Sequence, residues 1–379
     1  MSDNSPHWLA TPSGKPRARG LGLALPGTPG PFNAITDVEG VAVGYATIIE
    51  GHGPLVVGKG PVRTGVTAIL PRPFKTIPET ANPAPCFAGV SVLNGNGEMT
   101  GTLWIEENGQ LETPITITNT HSCGTARDAT IKWMVQNGIG QNQDWGLPVA
   151  AETYDGELND INGFHVTDAH VFEALDSAAC GPVELGSVGG GTGMICYDFK
   201  GGSGSASRRV EINTGAGTTT YTLGVFVQAN FGLREELTIL GRNIGRDHMD
   251  GRLRNRPAGS IIVIIATDAP LMPHQLKRLA RRVPMGLART GTVGHHGSGD
   301  LFLAFSTANE EALSGKSTKL DITPPHAIDP LFTAVAEATE EAVIDAMVAN
   351  ETMVGRDGNV CLATSKLLTS PDAGVNGIS

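Results

Sequence analysis

The chain has 379 residues, 40% of them hydrophobic and 17% charged, enough apolar material for a sizeable core in one large domain or two medium ones. Its 27 Lys and Arg against 38 Asp and Glu give a formal charge of −11, which argues against a general nucleic-acid surface because phosphate contact needs a basic face. Five scattered cysteines, Cys86, Cys123, Cys180, Cys196 and Cys361, include no CxxC pair, so neither a disulfide framework nor a structural zinc site is expected, and a reducing cytoplasm is the simplest setting.

The first twenty residues carry Pro16, Arg17 and Arg19 but no apolar h-region, and read as a loose lead. No later segment has the length of a membrane span. Short apolar pieces between Pro-Gly turns follow, with Gly40 to Tyr45 and Val66 to Leu70 as strand candidates. Five prolines between Pro71 and Pro85 mark an extended surface loop, after which Phe87 to Val92 reads as the next strand.

Ile115 to Thr120 alternates branched residues as a strand does, and it feeds a helix from Thr125 to Asn137 with Ala126, Ala129, Trp133 and Met134 on one face. His121, Ser122 and Cys123 at that junction read as packed residues in preference to a ligand or thiol site. Val149 to Gly156 is a short strand ending in polar groups, and Glu152 and Tyr154 share a face if the strand continues. The glycine-rich run Gly186 to Gly193 lacks the Lys of a phosphate loop and precedes a strand-like Met194 to Tyr197, so it reads as a strand connection or a close backbone approach to a ligand.

Gly201 to Ser207 reads as a mobile turn between strands, and Thr218 to Gln228 as a strand that delivers Asn230, which can serve as an oxyanion donor or simply as a turn former. Leu233 to Arg256 is polar and basic, as in a solvated linker. It leads into Ala258-Gly259-Ser260 and the apolar run Ile261 to Ala266. A Ser placed after Gly can attack the preceding carbonyl, because Gly tolerates the backbone geometry needed. If the ester then hydrolyses, Ser260 becomes an N-terminus with its own amine as general base. An ordinary turn before a buried strand fits the same residues.

Pro270 to Val283 forms a helix burying Leu276, Leu279, Ala280 and Val283, with a basic outer face. Gly294-His295-His296-Gly297-Ser298-Gly299-Asp300 is a glycine-rich turn that delivers Ser298 and Asp300 to a strand from Leu301. The adjacent histidines lack metal-binding spacing. A last long helix starts at Asp329-Pro330, with Leu331, Val335, Ala338, Ala342 and Ala346 inward, and the tail from Thr369 reads as frayed.

Three stretches taken together, Asn255 to Val263, Gly294 to Asp300 and Val227 to Gly232, resemble the DmpA family of self-processing serine aminopeptidases, which comprises L-aminopeptidase D-esterase/D-amidases and related β-aminopeptidases; the likeness runs from about Leu21 to Leu368. The resemblance implies an α+β fold, a four-layer αββα sandwich of the N-terminal-nucleophile-hydrolase type, forming a single catalytic domain over 1–379. It implies self-cleavage between Gly259 and Ser260 into an α chain, 1–259, and a β chain, 260–379. Ser260 would be the nucleophile, Ser298 and Asp300 would hold and tune it, Asn230 would donate to the oxyanion, and Tyr154 would line the site. β-Aminopeptidase members tend to carry Glu at the position of Asp300, so the shorter carboxylate fits the L-aminopeptidase side. An aminopeptidase must recognise a cationic amino end, and Glu152 is the candidate anchor. No metal or organic cofactor is implied. The expected partners are peptide, amide or ester substrates and three further copies of the chain in a homotetramer, with neither nucleic acid nor membrane. An acyltransferase of the ornithine acetyltransferase type, which uses Thr as its processed nucleophile, and a non-catalytic binding protein are the competing readings.

Overall fold

The structure is a computed structural model that describes residues 5–74, 83–139, 145–215, 217–254 and 259–368. The middle of the proline-rich loop, the residues 255–258 ahead of the Gly259-Ser260 bond, and the tail from Thr369 lie outside the described residues.

Two sheets form the centre. Four strands, in the order Ala42–Glu50, Val62–Leu70, Ile115–Asn119 and Val149–Thr153, make the first. Six make the second, in the order Gln110–Leu111, Cys86–Gly95, Gly299–Ser306, Ser260–Thr267, Gly217–Asn230 and Gly202–Thr214. Their facing side chains share one apolar layer that includes Ile69 and Ile117 from the first sheet and Ile262, Ile264 and Leu303 from the second. The outer face of the first sheet packs on the helices Cys123–Gln136 and Asp168–Asp176 through Trp133, Val171 and Leu175. The outer face of the second packs on Pro273–Ala280, Val283–Arg289 and Asp329–Val348 through Leu276, Leu287 and Val343. Helix, sheet, sheet, helix is the αββα order expected. It follows from strands such as Ser260–Thr267, in which every residue is buried, because a strand apolar on both faces must be covered on both.

Three readings of the sequence need correction. Gly201 to Ser207 is no mobile turn: Gly202–Thr214 is a strand whose first seven residues are buried. Glycines and serines are used there because the long helix lies directly on the strand, and a Cβ at Gly204 would collide with the Ala342 carbonyl. The N-terminal lead is tied down as well. Arg17, 3% exposed, pairs with Asp345 at 2.6 Å and donates to the Phe32, Asn33 and Ser205 carbonyls, so a buried charge, satisfied throughout, anchors it. Nor is Leu233 to Arg254 simply a solvated linker. Arg234 is 1% exposed, stacks 3.6 Å from the Phe199 ring centroid and donates to the Tyr197 and Asp198 carbonyls.

The glycine-rich run makes a short turn, Gly189–Gly191, ahead of the strand Ile195–Cys196. It approaches the first sheet, with the N–H groups of Gly189 and Gly190 bonded to the hydroxyls of Thr47 and Thr67 at 2.9 and 3.1 Å. Among the described residues, no helix is long and apolar enough to cross a membrane.

Candidate active site

Strand register brings the separated motifs together. Ser260 opens its strand opposite Asn230, the last residue of Gly217–Asn230, in an antiparallel pair. On the other side Ile261 pairs in parallel with Asp300. Asn230, Ser260 and Asp300 therefore meet at one end of three neighbouring strands, although 30 and 40 positions separate them along the chain.

Gly259 has φ +117°, and a Cβ there would collide with the Asn230 carbonyl. Both the backbone conformation and the space require glycine. The next residue, Ser260, is 7% exposed, and its Oγ accepts the Gly299 N–H at 3.0 Å.

Ser298 and Asp300 flank Gly299. The Ser298 hydroxyl lies 2.7 Å from Asp300 Oδ2 and 2.7 Å from the His295 carbonyl, either of which can accept its hydrogen bond. Asn94 completes this group and was not found from the sequence. Its amide donates to Ser298 Oγ at 3.0 Å, to Asp300 Oδ2 at 3.1 Å and to the His295 carbonyl at 3.1 Å. A register shift between Asp300 and Leu301 sets Asn94 opposite Asp300, the re-aiming of a side chain that a bulge achieves. Burial raises the Asp300 carboxyl, opposed by the Ser298 and Asn94 hydrogen bonds and the Ile261 N–H. The His295 ring stands 2.8 Å from the Glu236 carboxylate, which fastens the turn to the segment before the Gly259-Ser260 bond.

Asn230 is fully buried, and its amide orientation is determined by its partners. Oδ1 accepts the Ile195 N–H at 2.9 Å and an Arg254 N–H at 3.2 Å, while Nδ2 donates to the Tyr154 carbonyl at 2.8 Å. Tyr154 follows the strand Val149–Thr153 directly and is 40% exposed, whereas Glu152 inside it is 3% exposed. The strand ends between them, so the condition for a shared face is not met. Burial, followed by Glu157, raises the Tyr154 phenol.

Glu152 accepts the Glu98 N–H at 3.0 Å. Burial raises its carboxyl against the pull of the Thr120 hydroxyl and that N–H. Only a glycine separates it from Gly299, whose N–H meets the Ser260 hydroxyl: a Cβ at Gly97 would come within 3.2 Å of both Glu152 Oε1 and Gly299 Cα. Beside it, the His121 and Phe164 rings stack at 5.9 Å. Cys123 is buried and its thiol is pushed up to about 12 by burial, which leaves it without thiolate character at neutral pH. A narrow cleft reaches Gly259, Ser298 and Asp300 between Leu93, Phe231 and His295. Among the described residues, no three His, Cys, Asp or Glu side chains are grouped to hold a metal ion.

A buried serine opening a central strand of an αββα sandwich, directly after a positive-φ glycine, matches the class of N-terminal-nucleophile hydrolases of the serine type. The comparisons with known proteins specify it further. The pattern of peptidase family S58 matches residues 33–361. The beta-peptidyl aminopeptidase BapA of Sphingosinicella microcystinivorans is 48% identical over 360 residues, spanning 90% of this chain and 88% of its own. The solved L-aminopeptidase D-Ala-esterase/amidase of Ochrobactrum anthropi, described as a prototype for the serine aminopeptidases and a variant of the Ntn hydrolase fold, is 50% identical with TM-score 0.84, over 92% of this chain and 95% of that one. A Burkholderia sp. beta-aminopeptidase is 45% identical with TM-score 0.81, over 96% and 99%. The chain belongs to peptidase family S58 and is a serine aminopeptidase. These relatives favour that reading over an acyltransferase or a non-catalytic scaffold.

Proposed function

We propose that this aminopeptidase is made as a precursor that cuts itself between Gly259 and Ser260, and that Ser260 then releases N-terminal residues from peptides, amides or esters. The observation that carries the reading is the Gly259-Ser260 junction, where a positive-φ glycine precedes a buried serine whose Oγ is already hydrogen-bonded. In the cut, Ser260 Oγ attacks the Gly259 carbonyl carbon and the peptide becomes an ester, which water hydrolyses to the Gly259 carboxylate and a free Ser260 amine. That amine, with an ordinary pKa of about 8, is suited to take the hydroxyl proton near neutral pH. In turnover Ser260 Oγ attacks the scissile carbonyl, Asn230 Nδ2 donates to the oxyanion, and the amine passes the proton to the leaving nitrogen. Water then releases the acyl group.

Ser298 and Asp300 support the nucleophile from the Gly299 peptide between them, Tyr154 lines the site, and the Glu152 carboxylate receives the substrate's ammonium. The fragments 1–259 and 260–379 remain in one fold, because the strand Ser260–Thr267 lies between strands from both pieces. Relatives acting on β-peptides and on L-amino-acid derivatives are similar at nearly equal identity. The shorter Asp300 carboxylate favours α-aminoacyl substrates. A homotetramer in a reducing cytoplasm fits this reading, the latter with five free cysteines.

Intact-mass analysis tests the cut, and a panel of α- and β-aminoacyl p-nitroanilides tests the substrate class. Wild type is expected as two fragments, and Ser260→Ala as one inactive chain. Two fragments from Ser260→Ala would refute the nucleophile assignment.

A further inference from the structure

We infer that Arg254 is a positioning residue for catalysis: it holds the Asn230 amide in the one orientation that turns N–H groups toward the reacting carbonyl. The inference rests on the oxyanion role proposed for Asn230. An Asn side chain presents an acceptor on one side and two donors on the other, and a half-turn about its last torsion exchanges them. Flipped, Asn230 would set Oδ1 against the Tyr154 carbonyl and against the developing oxyanion, replacing a donor with a repelling oxygen.

Two donors oppose that flip, the Ile195 N–H at 2.9 Å and Arg254 Nη2 at 3.2 Å, both on Oδ1. Only the second belongs to a side chain. The guanidinium is itself constrained: it is 7% exposed, Nε and Nη2 each reach Glu157 at 3.0 Å, and Nη1 donates to the Ile195 carbonyl at 3.2 Å. A planar fork engaged on three sides is a rigid support, which a lysine cannot reproduce.

The position of Arg254 in the chain adds a second consequence. It lies six residues before Ser260, on the α-chain side of the proposed cut. The Leu253 and Arg254 N–H groups bond to the Asp198 carboxylate at 3.0 and 3.1 Å. These bonds secure the end of the α chain at this point, so after cutting the α chain still orients the oxyanion donor.

The test is a double-mutant cycle. Arg254→Met, Arg254→Lys, Asn230→Ala and Asn230→Ala with Arg254→Met are compared by melting temperature, by fraction cut, and by kcat and KM per cut enzyme on one aminoacyl p-nitroanilide. Arg254→Met is expected to lower kcat about 10- to 100-fold, with KM within about twofold, and Arg254→Lys to recover only part of the loss. In the Asn230→Ala background the same change should cost nothing further. A kcat for Arg254→Met within about twofold of wild type, or an equal loss in both backgrounds, overturns the inference. If Asn230→Ala itself leaves kcat unchanged, the oxyanion reading fails and this inference with it; an impaired Asn230→Ala beside an unimpaired Arg254→Met refutes the inference alone. Should Arg254→Met not fold or not cut, Glu157→Gln, which loosens the guanidinium without removing it, replaces it in the cycle. A loss for Glu157→Gln in wild type that vanishes with Asn230→Ala supports the inference, and equal losses overturn it.

Discussion

Asn230 and Ser260 are cross-strand partners, the last residue of one strand opposite the first of the next. Because this register sets the amide beside the backbone of Ser260, the proposed nucleophile, replacing Asn230 is expected to act on the chemical step. Asn230→Ala should lower kcat about 10²- to 10³-fold, equivalent to about 3–4 kcal/mol of transition-state stabilisation, and should also slow appearance of the two fragments. Steady-state kinetics on the cut enzyme and a mass-spectrometric time course check both.

Gly259 offers a sharper steric test. Gly259→Ala places a Cβ against the Asn230 carbonyl at a φ of +117°, so either the junction or the strand end must move. The expected product is an uncut chain or one cut at least an order of magnitude more slowly, with a lower melting temperature. Cutting at the wild-type rate would show that the observed conformation is not the reactive one.

Acid pH should weaken substrate binding through Glu152. Burial raises its carboxyl above the ordinary range, so the ionised form that attracts an ammonium is lost as pH falls through that raised value, earlier than for an exposed glutamate. KM should therefore climb on the acid side. In Glu152→Gln it should be high throughout and show no such limb. A KM profile of unchanged shape in the variant would assign the limb to another group.

The N-terminal anchor can be tested by stability alone. Arg17→Met leaves Asp345 buried without its partner; that carboxyl is already raised by burial despite Arg17. Breaking one side of a buried pair costs about 3–5 kcal/mol. The melting temperature should drop by several degrees, while the fragments of any folded protein remain the same. An unchanged melting temperature would mean that the anchor contributes nothing.

The sequence by itself determined the most strongly apolar strands and helices, because their burial is written locally: the unbroken runs Ile261 to Ala266 and Leu301 to Phe305 and the inward face of Asp329–Val348. It also singled out Gly259, Ser260, Ser298, Asp300 and Asn230, whose motifs are contiguous. Only the tertiary structure decided which distant residues stand behind them. Asn94 meets Asp300 through a shift in register, and Arg254 meets Asn230 through a fold of the chain; neither carries a local signal. For the same reason Gly201 to Ser207 read as a turn, since small residues in a sequence look alike whether they give a chain freedom or let a helix pack close. The burial of Arg17 and Arg234 was equally hidden, because an arginine's place depends on the carbonyls and carboxylates that the rest of the fold brings to it.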